Sequence, residues 1–377
     1  MSNIVSVFPC ENYEKNGASE ALNALLAPLG GLDWVEEGMK IAIKTNLVTF
    51  LRPETAAVTH PALITELCRL LTQRGAEVTV GDSPGGPYNA AMVGRAYSVA
   101  GLRAVEEAGA RLNDDFSVAG VKFPEARALR EFQYTAWLQK ADAVINFCKL
   151  KTHGLTSLSC GVKNLFGVIP GTRKPELHYA FPRVRDFSEM LVDLNEYVRP
   201  RLTIVDAVEG MEGNGPTQGT PRKIGALLAS SSPYAVDVLA AELIGLAPMD
   251  VPTIAAAAGR GLGPASVDEL EILGEWRGLV IRDYKLQPKR ESASFESRRF
   301  LGPLISSIFS ASPAVSREQC VGCGECERVC PQKTIKVSRG LAVISRKNCI
   351  SCYCCGEFCP KGAITMRRSA LARLMSK

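Results

Sequence analysis

CVGCGECERVCP at residues 320–331 and CISCYCCGEFCP at residues 349–360 repeat one pattern of four cysteines followed by a proline. Both copies have the spacing C-x2-C-x2-C-x3-C-P. Two-residue gaps let three thiolates of one tight loop reach three corners of a cubane, and the cysteine before proline points away from that loop. The pattern therefore indicates two [4Fe-4S] clusters, each completed by a cysteine from the other copy.

Crossed sharing assigns four ligands to each cluster. The first set is Cys320, Cys323, Cys326 and Cys359, and the second set is Cys349, Cys352, Cys355 and Cys330. Zinc is the alternative, because paired C-x2-C steps also make zinc sites, but a trailing Cys-Pro written twice favours cubanes. Cys354 aligns with Glu325, outside the ligand register, and is interpreted as a spare thiol that would ligate only if the loop slipped.

Residues 317–366, which contain both copies, resemble bacterial ferredoxins with two clusters. The resemblance implies a pseudo-twofold electron-transfer domain and a low-potential electron donor or acceptor protein as a partner. Residues 317–377 carry a net charge of +8, whereas the rest of the chain carries −3. Part of that positive charge offsets the anionic clusters. No aromatic-interleaved basic strip accompanies it, so we expect no nucleic-acid partner.

The sequence also bears on the compartment. The N-terminal MSNIVSVFPC has no cationic flank before its short apolar run, which argues against a secretory signal. No apolar stretch of the sequence reaches the length of a membrane span. Thirteen cysteines without an export signal favour a reducing environment, where thiols bind metals. We therefore expect a cytoplasmic protein without a transmembrane segment.

The chain before the cysteine motifs alternates short β-branched runs with amphipathic helical segments, which is typical of an α/β fold. The predicted strands are IVSVF, KIAIK, EVTV, AVINF, LTIVD and GALLA, and the predicted helices cover residues 18–27, 61–73 and 234–245. We predict a Rossmann-like parallel or mixed sheet over residues 1–280. A connector containing the apolar stretch FLGPLISSIF follows over residues 281–316, and an α+β ferredoxin-like domain over residues 317–377.

Polar side chains follow four of the predicted strands, at the sheet edge where open α/β folds bind ligands. The densest stretch, residues 146–180, mixes lysines and two histidines with glycine and apolar residues, and it favours an anionic substrate. The predicted substrate-binding residues are Lys44, Asn46, Asp82, Lys149, Lys163, Asn164 and Asp206. The predicted catalytic residues are His153, His178 and Lys151, with proton transfer assigned to His153 or His178. The glycine-rich residues 209–221 are predicted to form a lid.

Several segments together are similar to the family called domain of unknown function 362, over residues 1 to about 280. They are KTNLV, HPALITEL, RGAEVTVGDSPGG, KLKTHGLTSLSCGVKNLFGVIPG and IVDAVEGMEGNGPTQGTP. Members often carry a C-terminal ferredoxin module, and the family has no assigned activity. The order of these elements also resembles, more weakly, the nickel-dependent lactate racemase family, which implies at most a fold and a site location.

These observations lead to one main hypothesis and two alternatives. The main hypothesis is an iron–sulfur oxidoreductase that passes electrons through two [4Fe-4S] clusters to a small anionic substrate in the α/β domain, with or without a further flavin or metal. The first alternative is a non-catalytic electron-transfer subunit that docks a partner protein. The second is a racemase-like isomerase or a transferase with structural or sensory clusters. The sequence determines neither the substrate nor the oligomeric state.

Overall fold

The computed structural model describes residues 3–287 and 312–367. A large sheet of nine strands forms the body of the molecule. Its strands are β1 (Ile4–Pro9), β2 (Lys40–Lys44), β3 (Glu77–Gly81), β4 (Arg111–Leu112), β7 (Ala143–His153), β8 (Ser157–Ser159), β9 (Leu202–Glu212), β10 (Thr220–Ser230) and β11 (Glu271–Leu273). A separate antiparallel pair, β5 (Val118–Lys122) and β6 (Glu131–Thr135), lies in between along the chain.

The strands follow the order β11-β1-β10-β9-β7-β2-β3-β4, and β8 pairs with β7. Neighbours are parallel from β9 to β4, whereas β10 is antiparallel to both β9 and β1. The mostly parallel sheet confirms the predicted α/β class. Because β2, β3, β7 and β9 run in one direction, their carboxyl ends meet at a single edge of the sheet.

Ten α-helices are present in the described part of the chain. They are α1 (Lys15–Leu26), α2 (Pro61–Thr72), α3 (Ala90–Val99), α4 (Gly161–Asn164), α5 (Lys174–Ala180), α6 (Val184–Val198), α7 (Pro233–Leu243), α8 (Pro252–Ala258), α9 (Glu325–Arg328) and α10 (Cys354–Glu357). Helix α2 begins as predicted, with Pro61 in its first turn and the His60 ring accepting a hydrogen bond from the Ala62 amide.

Successive residues of a strand point to opposite faces of the sheet, and here both faces are buried. On β9, Ile204 packs in the cluster that contains Leu22 of α1 and Leu67 of α2. Its neighbour Val205 packs in the cluster that contains Leu239 of α7. Helices α6 and α8 supply a third cluster. Helices therefore cover both faces of the sheet, in a three-layer arrangement.

Two strands extend further than predicted. AVINF is the first half of β7, which continues to His153 and folds back through β8, so Lys151 pairs with Ser159 and His153 with Ser157. Nearly half of the predicted lid is also strand, because β9 runs to Glu212 and β10 starts at Thr220. Only residues 213–219 connect these two strands. Charged residues in this region therefore belong to the rigid sheet.

The small C-terminal region consists of the pairs β12 (Ser312–Val315) with β15 (Ile364–Arg367) and β13 (Ile335–Ser338) with β14 (Leu341–Ile344). Helices α9 and α10 are single turns within the two cysteine motifs. Strand β12 already belongs to this small domain and starts before the predicted boundary at residue 317. Most of the predicted connector, including FLGPLISSIF, lies outside the described residues.

Candidate functional site

The structure brings the eight motif cysteines of the small domain close together. Burial raises the pKa of the Cys326 thiol, and the charges of Cys359, Cys323 and Cys320 raise it further. These four cysteines also line one small cavity. Burial likewise raises the pKa of Cys355, whose neighbouring thiols include the second set. The thiols that act on Cys355 are Cys352, Cys349 and Cys330 of the second set and Cys326 of the first set.

Backbone amides of the small domain point at several of these sulfurs. The amides of Thr334, Ala342 and Ala363 donate to Sγ of Cys330, Cys320 and Cys359 at 3.3, 3.5 and 3.2 Å. Hydrogen bonds to sulfur stabilise thiolates and help to set the potential of an iron–sulfur cluster. The residues present thus fit anionic [4Fe-4S] clusters.

Buried polar contacts fix the site-bearing segment at the carboxyl ends of β2 and β7. The Asp237 carboxylate accepts hydrogen bonds from the amides of Gly161 and Val162 at 2.6 and 3.2 Å, which anchors the start of α4. The Asn164 side chain donates to Asn146 Oδ1 at 2.8 Å. These contacts hold α4, and therefore Lys163, against the sheet.

Lys44 and Asp82 form a buried ion pair beside α4, with Nζ and Oδ1 2.7 Å apart. Lys44 Nζ also donates to Asn164 Oδ1 at 3.3 Å. The Asp82 carboxylate accepts further hydrogen bonds from the amides of Leu47 and Ser83, at 2.7 and 2.8 Å. Burial lowers the pKa of Lys44, and Asp82 opposes that shift. Lys44 is therefore held within the protein, below the surface that a ligand would meet.

A cavity of about 80 Å3, partly open to solvent, lies where the small domain meets this edge of the sheet. Its large-domain wall includes Asn46, Lys151, His153, Lys163, Lys174 and His178. Its small-domain wall consists of Cys354, Glu357 and Phe358. Seven of the ten predicted substrate-binding and catalytic residues line this cavity. They are Asn46, Asp82, Lys151, His153, Lys163, Asn164 and His178.

Three lysines give the cavity its positive character. Burial, followed by the charge of Lys163, lowers the pKa of Lys151 to about 7. Its Nζ donates to Asn46 Oδ1 and to the Ala57 carbonyl, at 2.5 and 2.7 Å. Burial also lowers the pKa of Lys174 to about 7. Near neutral pH these two amines can therefore exist with or without a proton.

The charge of Lys163 interacts with two residues of the small-domain wall. Burial lowers its pKa, while the carboxylate of Glu357 and the thiol of Cys354 raise it. Its Nζ lies 4.6 Å from the centre of the Phe166 ring, within the range of a cation–π contact. Lys163 thus extends from a positioned helix toward residues of the second cysteine motif.

The two predicted histidines are buried in different ways. His153 Nδ1 accepts hydrogen bonds from the amides of Leu155 and Thr156 at 3.0 and 3.2 Å, so the ring proton resides on Nε2. Nε2 lies 3.2 Å from Oε1 of Glu357. His178 stacks on Phe187, with ring centres 4.4 Å apart. His153 therefore bridges to the small domain, while His178 faces the cavity from an aromatic wall.

Ser83 contributes a further polar atom to this wall. Its side chain is only 2% exposed, and its Oγ has no hydrogen-bond partner within the described residues. The backbone of Ser83 is fixed, because its amide donates to Asp82 and its carbonyl accepts from Lys174 Nζ. A buried hydroxyl without a partner costs free energy, and a bound oxyanion would supply the missing contact. The glycine-rich run at residues 81–87 was the sequence signal that could have indicated Ser83.

Lys149 and Asp206 require a correction, since we expected them to share a cleft with Lys163 and His153. They form a separate buried ion pair, with Nζ and Oδ2 2.9 Å apart. Tyr13 donates to Asp206 at 3.0 Å, and the amide of His60 donates to the same carboxylate at 3.0 Å. Neither Lys149 nor Asp206 lines the cavity. The pair is satisfied internally, so we do not retain it in the candidate site.

The small domain contacts the body through its second cysteine motif. Tyr353 donates to Asn214 Oδ1 at 2.6 Å, and Gln218 donates to the Cys359 carbonyl at 3.1 Å. A Cβ on Gly85 would lie 2.5 Å from the Phe358 ring, so this close approach requires glycine. The loop at 213–219 therefore secures the small domain beside the cavity instead of acting as a free lid.

The fold, the cysteine sets and the cavity define a class: an iron–sulfur protein in which a ferredoxin-like domain closes one side of an α/β domain. A family model for a 4Fe-4S dicluster domain matches residues 312–360. A model for a domain of unknown function, DUF362, matches residues 41–242. The chain belongs to this DUF362 family, as its motifs indicated, and it carries a cluster-binding domain.

Two similar proteins add context. The thylakoid-associated protein sll1697 of Synechocystis sp. is 33% identical over 289 residues, which cover 75% of this chain and 87% of that protein. The lactate racemase apoprotein of Thermoanaerobacterium thermosaccharolyticum shows a weak structural similarity, with a TM-score of 0.35 and 13% identity. That match covers 54% of this chain and 50% of the racemase. Among the described residues, no helix has the length and apolar character needed to cross a membrane.

Proposed function

We propose that this protein is an iron–sulfur oxidoreductase that exchanges electrons with a small anionic substrate bound between its two domains. One observation carries the proposal. The second cysteine motif, through Cys354, Glu357 and Phe358, forms one wall of a cavity whose other wall contains three lysines. The proposed redox-active region and the proposed anion-binding region therefore face the same cavity.

Two clusters with crossed ligands form part of the proposal. The dicluster family match, the grouping of the eight thiols and the amide hydrogen bonds to sulfur support it. A [4Fe-4S] cluster supplies one electron at a time, so two of them suit a two-electron reduction. A low-potential protein would exchange electrons with the small domain from outside.

The chain's own residues would bind and orient the substrate. Lys163 and Lys174, with the free hydroxyl of Ser83, provide hydrogen-bond donors to a carboxylate or phosphate. Asn46 and Asn164 line the same space, and the latter is fixed by Asn146. Because Phe166 and Phe358 line the cavity as well, water is partly excluded and the charge–charge interactions are strengthened. We propose a compact anion as the ligand.

Proton transfer is assigned to groups that can change protonation near neutral pH. Lys151, with a pKa of about 7, projects from β7 into the cavity and could donate a proton as the substrate gains electrons. His178 is the second candidate, since it lines the same wall. His153 is better suited to orientation, because both of its ring nitrogens face protein groups.

The test is an anaerobic screen with the full-length protein. The clusters are reduced, and 2-oxoacids, dicarboxylates and phosphate esters are added one at a time while cluster absorbance is followed. We expect one class to accelerate reoxidation, and Lys163→Ala to remove the effect with iron content unchanged. Lys223→Ala is the matched control, because Lys223 is an exposed lysine paired with Glu11 outside the cavity.

The opposite result would favour a different function. If no anion accelerates reoxidation, and a partner protein does so equally in the wild type and in Lys163→Ala, the protein is an electron-transfer subunit. An anion that binds and is converted without any change in cluster absorbance would instead favour an isomerase or transferase. Both results contradict the oxidoreductase proposal.

We also propose that the protein works in a reducing, cytoplasmic compartment. Its thirteen cysteines include no disulfide, which supports this assignment within the described residues. The name of the Synechocystis relative places that protein at thylakoids, so a peripheral association with a membrane is the specific alternative. Cell fractionation with a salt wash distinguishes them: we expect the protein in the supernatant before the wash.

A further inference from the structure

The two copies of the cysteine motif differ in how they contact the large domain. Tyr353, Glu357, Phe358 and Cys359 of the second copy all make contacts with it. Among the described residues, the contacts found between the two domains involve no residue of the first copy between 320 and 330. Cys323 of that copy is exposed, and Val321 is 59% exposed. A repeat with internal pseudo-symmetry therefore docks asymmetrically.

Sequence differences between the two copies account for this asymmetry. When the copies are aligned, four residues at the docking face stand opposite different side chains in the first copy, whereas Cys359 stands opposite Cys330. Tyr353 aligns with Gly324, Cys354 with Glu325, Glu357 with Arg328, and Phe358 with Val329. These four differences between the copies thus lie at the cavity wall or at a contact with the large domain.

Tyr353 shows that the second copy is specialised at a cost to the backbone. Gly324 and Tyr353 have similar left-handed conformations, with φ of 83° and 69°. Glycine adopts this conformation freely, but a tyrosine is strained there. Tyr353 is nevertheless buried, and its hydroxyl donates to Asn214 and to the Ile364 carbonyl at 2.6 and 3.2 Å. The strain is offset by contacts with the large domain and within the small one.

The same segment connects the cavity to one ligand set. Cys354 lies between Cys352 and Cys355, which belong to the second set, and its side chain lines the cavity. The first set meets the large domain only through the Cys359 carbonyl in the contacts described, and its own small cavity shares no lining residue with the larger one. The charge of Lys163 interacts with Glu357 and with Cys354, and Cys354 stands between two ligands of the second set.

We propose that the second ligand set exchanges electrons with the cavity, while the first set faces the external electron carrier. The second set is Cys349, Cys352, Cys355 and Cys330. The residues that hold it beside the cavity are Tyr353, Cys354, Glu357 and Phe358. This inference rests on the proposed function and deepens it, because it assigns an order to the electron path. Glu357 and Lys163 act in it as positioning residues. Their charges tune one cluster and leave the other unaffected.

The test is a redox titration of the full-length holoprotein below neutral pH, with the two clusters resolved by electron paramagnetic resonance. Removing a negative charge beside a cluster makes reduction easier, and removing a positive charge makes it harder. We expect Glu357→Gln to raise one midpoint potential and Lys163→Met to lower the same one. The other potential should stay in place in both variants. Lys336→Met, on the exposed side of the first copy, is the matched control and should not alter the cavity-side potential.

Ligand variants then assign the responding cluster. Cys320→Ser removes a ligand of the first set and leaves the second set intact, so the potential shifts caused by Glu357→Gln and Lys163→Met should persist. Cys349→Ser leaves only the first set intact, so neither shift should appear. If these variants do not fold, Arg328→Gln replaces them, since Arg328 is the counterpart of Glu357 and should move only the other potential. Equal movement of both potentials, or movement of the same cluster by Glu357→Gln and Arg328→Gln, would overturn the inference.

Failure of this inference and failure of the proposed function have different signatures. If the variants shift one midpoint potential selectively but no anion accelerates reoxidation, the coupling of one cluster to the cavity stands and the oxidoreductase proposal is wrong. If an anion accelerates reoxidation but both midpoint potentials move together, the oxidoreductase proposal stands and the proposed order of electron transfer is wrong.

Discussion

Lys149 and Lys151 lie on the same strand, two residues apart, and the structure places them in opposite situations. Lys149 forms a buried ion pair with Asp206, supported by Tyr13. Lys151 is equally buried but has only neutral oxygens as hydrogen-bond partners, and it lines the cavity. The comparison teaches that a charged residue near a strand end indicates a site only when the fold leaves its charge uncompensated.

The largest expected effect concerns the compensated side. Asp206→Ala leaves the Lys149 ammonium buried without its partner, so we expect a loss of about 3–5 kcal/mol in the free energy of unfolding. Urea denaturation followed by circular dichroism measures it. The matched variant Asp283→Ala removes the partner of a more exposed arginine, Arg222, and should change stability by less than about 1 kcal/mol. Similar losses in both variants would contradict the comparison.

The uncompensated side should respond in ligand binding instead of in stability. Lys163→Ala should weaken binding of the anion found in the screen by about tenfold or more, because a charge-assisted hydrogen bond contributes about 1.5–3 kcal/mol. Isothermal titration calorimetry under anaerobic conditions measures the affinity. Lys223→Ala should bind like the wild type. Unchanged affinity in Lys163→Ala would assign that lysine to a structural role.

The pH dependence sharpens the same contrast. The pKa of Lys151 and of Lys174 is lowered to about 7, so both side chains lose their charge as pH rises through that value. Anion affinity should therefore be highest below pH 7 and fall above it. Because the folded pKa lies below the unfolded one, stability of the ligand-free protein should change in the other direction and increase with pH over this range. Affinity that is flat between pH 6 and 8 would contradict the assignment.

The last comparison is between two neighbouring kinds of cysteine, and it concerns cluster content. Anaerobically prepared protein should contain about eight iron and eight acid-labile sulfide atoms per chain. Cys354→Ser should keep both clusters, whereas Cys330→Ser should damage the second one. Iron and sulfide analysis with Mössbauer spectroscopy checks both variants. Loss of a cluster in Cys354→Ser, or stoichiometric zinc with little iron, would contradict the ligand register.

Much of this molecule follows from local patterns. The alternation of β-branched runs and amphipathic helices predicted the sheet, and the positions of Lys163, His153 and His178 near strand ends predicted the cavity wall. Strand β7 runs on to His153 because its end pairs with Ser157–Ser159 in a hairpin, which no local signal distinguished from a loop. The predicted boundary of this strand was therefore too short.

The remaining features depend on contacts between distant segments. The sequence predicted Asp206 as a site residue, but Tyr13, from the loop before α1, donates a hydrogen bond to its carboxylate. Cys354 was interpreted as a spare thiol, since alignment of the repeat gives the ligand register but not the face that docks. A signal was nevertheless present: Tyr353 replaces a glycine at a left-handed position, which requires compensation from packing elsewhere.

The central claim is that an anion in the cavity receives the electrons of the small domain, and a single-turnover experiment tests it most directly. Reduced protein is mixed anaerobically with the anion selected in the screen, and product per chain is counted. Two single-electron clusters should yield about one two-electron product per chain. The yield should fall to background in Lys163→Ala while iron content stays the same. Clusters that stay reduced in the presence of bound anion, or an equal yield in Lys163→Ala, would contradict the account.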